Sequence, residues 1–193
     1  MSRSETLRIT NELDTLGYAL TTYADLGLEF DTELAKKITA ASAGLEFSAS
    51  AAEITKHIEK QHMTMVQDED VLVMGRLAVA PVVEKLFAHS PRALSNWNLY
   101  ALNRYESVGT LGAHQDSVAS TVMVATLAGE RQFNINRIIN SAAEEYGEVI
   151  DSFTLAPGSV MILDGQLDPA HSVVCLEGPS VSAVLDVPDL LRP

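Results

Sequence analysis

Apolar positions along the chain change their period near residue 95. Upstream, the spacing is helical. Asp31 and Thr32 can cap a helix that carries Leu34, Ile38 and Ala41 on one face and stops at Gly44. Ser50 with Glu53 reads as a capping box opening a helix with Ile54 and Ile58 inward. Pro81 fits the first turn of a short helix through Phe87 and Ala88. Downstream, the period falls towards two. Trp97 to Tyr105 alternates, with Trp97, Leu99, Ala101 and Asn103 on one face. Val118 to Leu127 is rich in Val, Thr and Ala and leads to a turn at Gly129-Glu130; strand character resumes from Arg131 to Ile139. Residues 140–148, with Glu144, Glu145 and Glu148, read as a solvated acidic loop. Pro157-Gly158 turns into Val160 to Leu163, and His171 to Leu176 and Val181 to Val187 complete the series. Short strands divided by turns predict a β-sandwich or barrel rather than βαβ units. With no repeat or linker in view, the expectation is one domain over 1–193 of α+β class, mainly β with N-terminal helices. A helix-rich part (1–95) packs on a β core (96–190).

Composition narrows the partners. The chain carries 13 Lys+Arg against 26 Asp+Glu, a net charge of −13 that repels phosphate backbones. A hydrophobic content of 47% with 20% charged residues excludes a disordered chain. The single cysteine, Cys175, excludes an internal disulfide and a Cys-cluster zinc site; within the apolar run Ser172 to Leu176 it reads as a buried structural thiol. Met1 to Thr10 is polar and lacks a signal region, and no apolar run reaches the roughly 18 residues of a membrane span. A cytoplasmic protein with no membrane partner is the expectation.

Among five histidines, His114-Gln115-Asp116 forms an H-x-D triplet, a weak signal alone. His57-Ile58-Glu59 shows the risk, since on its predicted helix positions i and i+2 face apart. On a strand they face the same way, so His114 and Asp116 can aim at one point. His171, from a later strand, would complete a two-histidine, one-carboxylate triad, which leaves three positions open on iron(II). His62 and His89 read as surface residues. Asp164 and Asp168 flank the loop before His171 and could orient it.

The flanks are more specific. Asn103-Arg104-Tyr105 precedes Leu111-Gly112-Ala113-His114-Gln115-Asp116-Ser117; Gly129 to Phe133 reads G-x-R-x-F; Pro157-Gly158-Ser159-Val160 and Ala170-His171-Ser172-Val173 follow. Over Asn98 to Val187 this order resembles the catalytic core of the iron(II)/2-oxoglutarate dioxygenases, most closely the AlkB-like branch. The resemblance implies a double-stranded β-helix, or jelly roll, as the core. It implies that His114, Asp116 and His171 hold Fe(II), that Asn103 and Tyr105 bind 2-oxoglutarate, and that molecular oxygen is the other co-substrate. The implied reaction is oxidative decarboxylation of 2-oxoglutarate coupled to hydroxylation of a C–H bond or loss of an N-methyl group.

One part of the pattern departs. The family strand R-x-S/N-x-x-x-R binds the far carboxylate of 2-oxoglutarate through arginine. Here it reads Ser180 to Asp186, with Ser180 and Asp186 where the arginines belong and Ser182 as the small polar member. Arg131 is the leading replacement cation, ahead of Arg137 and Arg104; an iron oxygenase without 2-oxoglutarate, or an inactive metal-binding relative, are the alternatives. Val118 stands where the AlkB pattern often has a base-contacting acid, and no Lys follows Lys85. Trp97 and Tyr100 could stack on a base or pack in the core. The expected substrate is therefore a small molecule or a protein side chain, ahead of nucleic-acid dealkylation.

Overall fold

The computed structural model describes residues 3–46, 52, 56 and 58–188. Two layers of apolar side chains explain its order. Along the strand from Thr121, Val122 and Val124 point into one apolar cluster with Phe133, Ile135, Leu155 and Val173. Met123 and Ala125 point the other way, into a cluster shared with Ile9, Val79, Val83 and Phe87 of the N-terminal helices. Both faces of this strand are covered, which is why its sequence is continuously apolar rather than alternating with charge.

The elements are α1 (Arg3–Leu16), β1 (Tyr18–Thr22), α2 (Thr32–Ala41), β2 (Lys60–Val66), α3 (Glu69–Leu86), α4 (Pro91–Asn96), β3 (Asn98–His114), β4 (Thr121–Asn140), a 3₁₀ turn (Ser141–Ala143), β5 (Glu145–Leu155), β6 (Ser159–Asp164) and β7 (His171–Val187). The strands pair in the order β1-β6-β4-β7-β3-β2, with β5 beside the second half of β4. All pairings are antiparallel. The long strands β3, β4 and β7 each serve twice. The first half of β4 lies between β6 and the end of β7, and its second half lies between β5 and the start of β7. This is the jelly roll that the family resemblance implies. No helix is long and apolar enough to cross a membrane among the described residues.

Helix α2 starts as expected: the Asp31 side chain accepts the Leu34 N–H at 2.9 Å. Its buried face is Ala35 and Ile38, while Ala41 is exposed. The capping box at Ser50 and Glu53, Ile54 and His57 lie outside the described residues. The remaining differences share one cause, that turn-type residues occur inside longer elements. Pro81 does not open a helix; it sits late in α3, which Asp68 caps through the Val71 N–H. The helix tolerates it on its outer side, where Leu77, the residue whose carbonyl loses a donor, is 63% exposed. Gly129-Glu130 is not a turn. β4 runs through it with a register shift, and Gly129 takes φ +65°. Residues 140–148 are acidic and exposed apart from half-buried Tyr146 and Gly147, but they are not a loop, because β5 starts at Glu145. The segments 171–176 and 181–187 form one strand, β7. The helix-rich N-terminal half supplies two strands, β1 and β2, to the sheet.

β3 holds a further correction. Trp97 caps α4 instead of opening the strand, and Arg76 lies 4.0 Å above its ring. The register then shifts between Leu99 and Ala101. Leu99 therefore joins the helix-side cluster, while Ala101 and Tyr105 join the barrel interior. A bulge moves Asn103 and Tyr105 to the inner face.

Candidate metal centre

His114 ends β3 and His171 begins β7, and the two are paired across the strands. Their rings lie 4.3 Å apart. Each Nδ1 faces a backbone carbonyl, His114 to Gly112 at 2.9 Å and His171 to Pro169 at 3.1 Å. A carbonyl oxygen only accepts, so each Nδ1 donates to it, and Nε2 is the ring nitrogen left to face a metal ion. Both Nε2 atoms lie 3.9 Å from a carboxylate oxygen of Asp116. The three ligand atoms fall within 4.8 Å of one another, close enough to hold one ion. Phe133 stacks on His171, with centroids 5.0 Å apart and planes at 11°, which holds that ring in place.

Strand alternation does not place Asp116, since β3 ends at His114. A clamp from the loop before β7 does. The Asp168 carboxylate accepts the backbone N–H groups of Asp116 and Ser117 at 3.0 and 3.2 Å, and its carbonyl accepts Gln115 Nε2 at 2.6 Å. Asp168 thus orients the H-x-D segment rather than His171. Burial pushes its carboxyl above the ordinary value. Asp164 shapes the same loop by accepting the Gln166 N–H at 2.7 Å. His62 and His89 are exposed.

The triad opens onto a cavity of about 600 Å³. Asn103, Tyr105, Arg131 and Ser182 all line it. Arg131 is the unusual member: it is 0% exposed. One amine, Nη2, donates to Thr126 Oγ1 at 2.7 Å, while Nε and Nη1 have no partner. Burial lowers its pKa to about 10. Tyr105 stands beside it, its hydroxyl pushed up to about 12 by burial. Asn103 Oδ1 and the hydroxyls of Ser180 and Ser182 are also buried and unpartnered. Polar atoms held this way cost stability until a ligand meets them. A carboxylate is the group that fits a guanidinium with two unused donor nitrogens.

The other candidate cations are occupied elsewhere. Arg104 ties β3 to α2, donating to Glu106 of its own strand at 2.8 Å and to the Thr39 carbonyl at 3.0 Å. Arg137 pairs with Glu148 at 2.8 Å on the surface. Asp186 lines the cavity and accepts the Ser120 hydroxyl. Cys175 is buried, as expected. Two contributors escaped the sequence reading: Thr126, which holds Arg131, and Phe133, which stacks on His171; Tyr100, weighed there for stacking or core packing, lines the cavity with its buried hydroxyl unpartnered. Only Phe133 had a signal, in the G-x-R-x-F run.

No protein-family model matches the chain, and no curated protein matches it by sequence. Solved structures match its fold. A prolyl-4-hydroxylase from Pseudomonas putida aligns over 96% of this chain and 99% of its own, at 14% identity and a TM-score of 0.50. An oxidoreductase of the 2OG-Fe(II) oxygenase family from Burkholderia pseudomallei aligns over 94% of this chain and 88% of its own, at 16% identity and a TM-score of 0.50. The structure of OsALKBH1 aligns over 89% and 97%, at 12% identity and a TM-score of 0.48. The chain has the jelly-roll fold of the 2OG-Fe(II) oxygenases.

Proposed function

We propose that the chain is an iron(II)- and 2-oxoglutarate-dependent oxygenase that hydroxylates or demethylates a small molecule or a protein side chain. The observation that carries this reading is the buried guanidinium of Arg131, with unpartnered donors, in the same cavity as the His114–Asp116–His171 cluster. A metal site alone fits many proteins; a metal site sharing a cavity with a buried carboxylate receptor fits a 2-oxo acid that also chelates the metal. Arg131 on β4 takes the charge role that Ser180 on β7 cannot, reaching the cavity from the strand paired beside β7.

In this reading His114, Asp116 and His171 hold iron(II), and Arg131 with Thr126 fixes the far carboxylate of 2-oxoglutarate. Asn103, Tyr105 and Ser182 offer hydrogen bonds along the cavity. Bound iron with 2-oxoglutarate supplies the oxidising chemistry by which oxygen hydroxylates a C–H bond while the co-substrate leaves as succinate and CO₂. Phe133 and the two backbone carbonyls hold the histidine rings so that the Nε2 lone pairs stay aimed at the ion. Nucleic acid is the less favoured substrate, because the chain is strongly acidic and has no Lys after Lys85.

Anaerobic addition of Fe(II), then 2-oxoglutarate, tests the reading. A metal-to-ligand charge-transfer band, followed by succinate once oxygen is admitted, is the expected result. Metal binding without the band would remove 2-oxoglutarate as the co-substrate, and a His114→Ala chain with full metal affinity would remove the triad.

A further inference from the structure

The oxygenase reading leaves one buried polar group on the cavity lining without a task. In it Arg131, Tyr105, Asn103 and Ser182 meet the co-substrate, whereas the Tyr100 hydroxyl is buried and has no hydrogen-bond partner among the described residues. A buried tyrosine hydroxyl ordinarily finds one, because leaving it unmet costs stability. Nor does strand alternation bring Tyr100 to the cavity. Leu99 pairs with Leu185 and Ala101 with Val184, so Tyr100 is the extra residue of the bulge on β3. Its carbonyl accepts Gln67 Nε2 at 3.4 Å, which helps hold the bulge. A bulge of this kind re-aims a side chain, and here it turns Tyr100 onto the cavity lining.

Strand register places the neighbours. β7 lies between β3 and β4, with Val184 beside the Tyr100 bulge and opposite Val124 of β4. Val122, two residues before Val124 on the same face, completes a strip across three adjacent strands, and Tyr100 and Val184 pack against the same apolar cluster as Val122 and Val124. All four line the cavity, as does Asp116. Tyr105, which stands beside Arg131, comes five residues later on β3, roughly 15 Å along the strand. The hydroxyl therefore faces a different stretch of the cavity from the far carboxylate of the co-substrate. Burial, and then the charge of Asp116, push it above its ordinary pKa, so it keeps its proton as a donor. We infer that Tyr100 donates a hydrogen bond to the substrate, a small neutral molecule that carries a carbonyl oxygen, ketone or amide, on an aliphatic body resting on Val122, Val124 and Val184. The inference rests on the oxygenase reading and deepens it by naming the substrate class and the residue that fixes it. A hydrocarbon, or a group that only donates, would leave the hydroxyl proton unmet. An ionised acceptor would be taken from water onto a valine strip, at a higher cost than a neutral one.

The test uses the Mn(II)-loaded protein with saturating 2-oxoglutarate and no turnover. Cyclopentanone and cyclohexanone are compared with methylenecyclopentane and methylenecyclohexane, which keep the shape and replace the oxygen by a methylene group. Ligand-observed NMR follows them, since protons seated beside Mn(II) relax faster. Tyr100→Phe should weaken each ketone that binds by about fivefold and each alkene by less than about twofold. Unliganded Tyr100→Phe should melt about 2–4 °C higher than the parent, because an unmet hydroxyl has been removed. Its affinities for Mn(II) and 2-oxoglutarate should stay within about twofold of the parent's. The inference is overturned if neither ketone is relaxed by the Mn(II)-loaded chain at tens of millimolar, or if ketone and alkene weaken alike. A variant that melts no higher than the parent would make the hydroxyl a structural group, and a loss of Mn(II) affinity would assign it to Asp116; either result also overturns the inference. Failure of 2-oxoglutarate to bind the unaltered chain would overturn the oxygenase reading instead, and the ketone comparison is read separately on the Mn(II)-loaded chain.

Discussion

Arg131 brings a charge to a place that water does not reach, and most of the site's chemistry turns on how that charge is met. Replacing it with methionine keeps the volume and removes the charge. Unliganded Arg131→Met should be more stable than the parent, by about 1–4 kcal/mol, because an uncompensated buried ion is lost. Its affinity for 2-oxoglutarate should fall by about 100-fold, or about 2.7 kcal/mol. Denaturant unfolding and calorimetry read the two effects, and a loss of both stability and affinity would mean that Arg131 is a structural residue. Asp168 offers a second test at this scale. It sits at φ +44°, a conformation that Asn also tolerates, so Asp168→Asn changes the charge without the backbone. One carboxylate oxygen facing the Asp116 and Ser117 amides becomes a donor or is lost. Metal affinity should drop by about 10-fold, measured by competition with a chelator. The triad residues were legible in sequence because H-x-D and a later His carry their own chemistry. The Asp168 clamp was not, because it acts through backbone amides 52 and 51 residues away.

Among the elements, β4 shows how a bulge builds a site. Gly129 lets the strand change register between the half that faces the helices and the half that faces the triad. A Cβ there would lie 2.5 Å from the Glu177 carbonyl oxygen and 2.7 Å from that of Pro179. Gly129→Ala should therefore cost about 3 kcal/mol or more, from strain plus overlap, in a denaturant titration. Without the bulge Thr126 and Arg131 would not meet at 2.7 Å, so 2-oxoglutarate affinity should fall with stability. Element type was largely readable after residue 95, because β-rich apolar runs persist there. Boundaries were not. Gly and Pro mark turns in isolated sequence, yet here they sit inside β4 and α3, where neighbouring elements supply the packing that overrides them. The face of Asn103 was assigned through a regular alternation from Trp97, and the bulge after Leu99 re-aimed it.

For the whole molecule, ligand linkage gives a direct check. If metal and 2-oxoglutarate bind only the folded chain, each at about 100 times its Kd adds about 2.7 kcal/mol, or roughly 5–10 °C in Tm for a chain of this size. Scanning calorimetry with Mn(II) alone and then with 2-oxoglutarate should show two successive rises, the second one absent in Arg131→Met. The net charge of −13, read first as a bar to phosphate backbones, includes two acids on the cavity lining besides Asp116, namely Glu144 and Asp186. By itself the sequence determined the β-rich class, the order of the motifs and the identity of the three metal-binding candidates, since periodicity and side-chain chemistry are local properties. Only the tertiary structure decided that Arg131 is buried with open donors and that Asp168 holds Asp116. Those facts depend on which strands lie side by side, and strand pairing is settled by packing across the whole barrel rather than by any one segment.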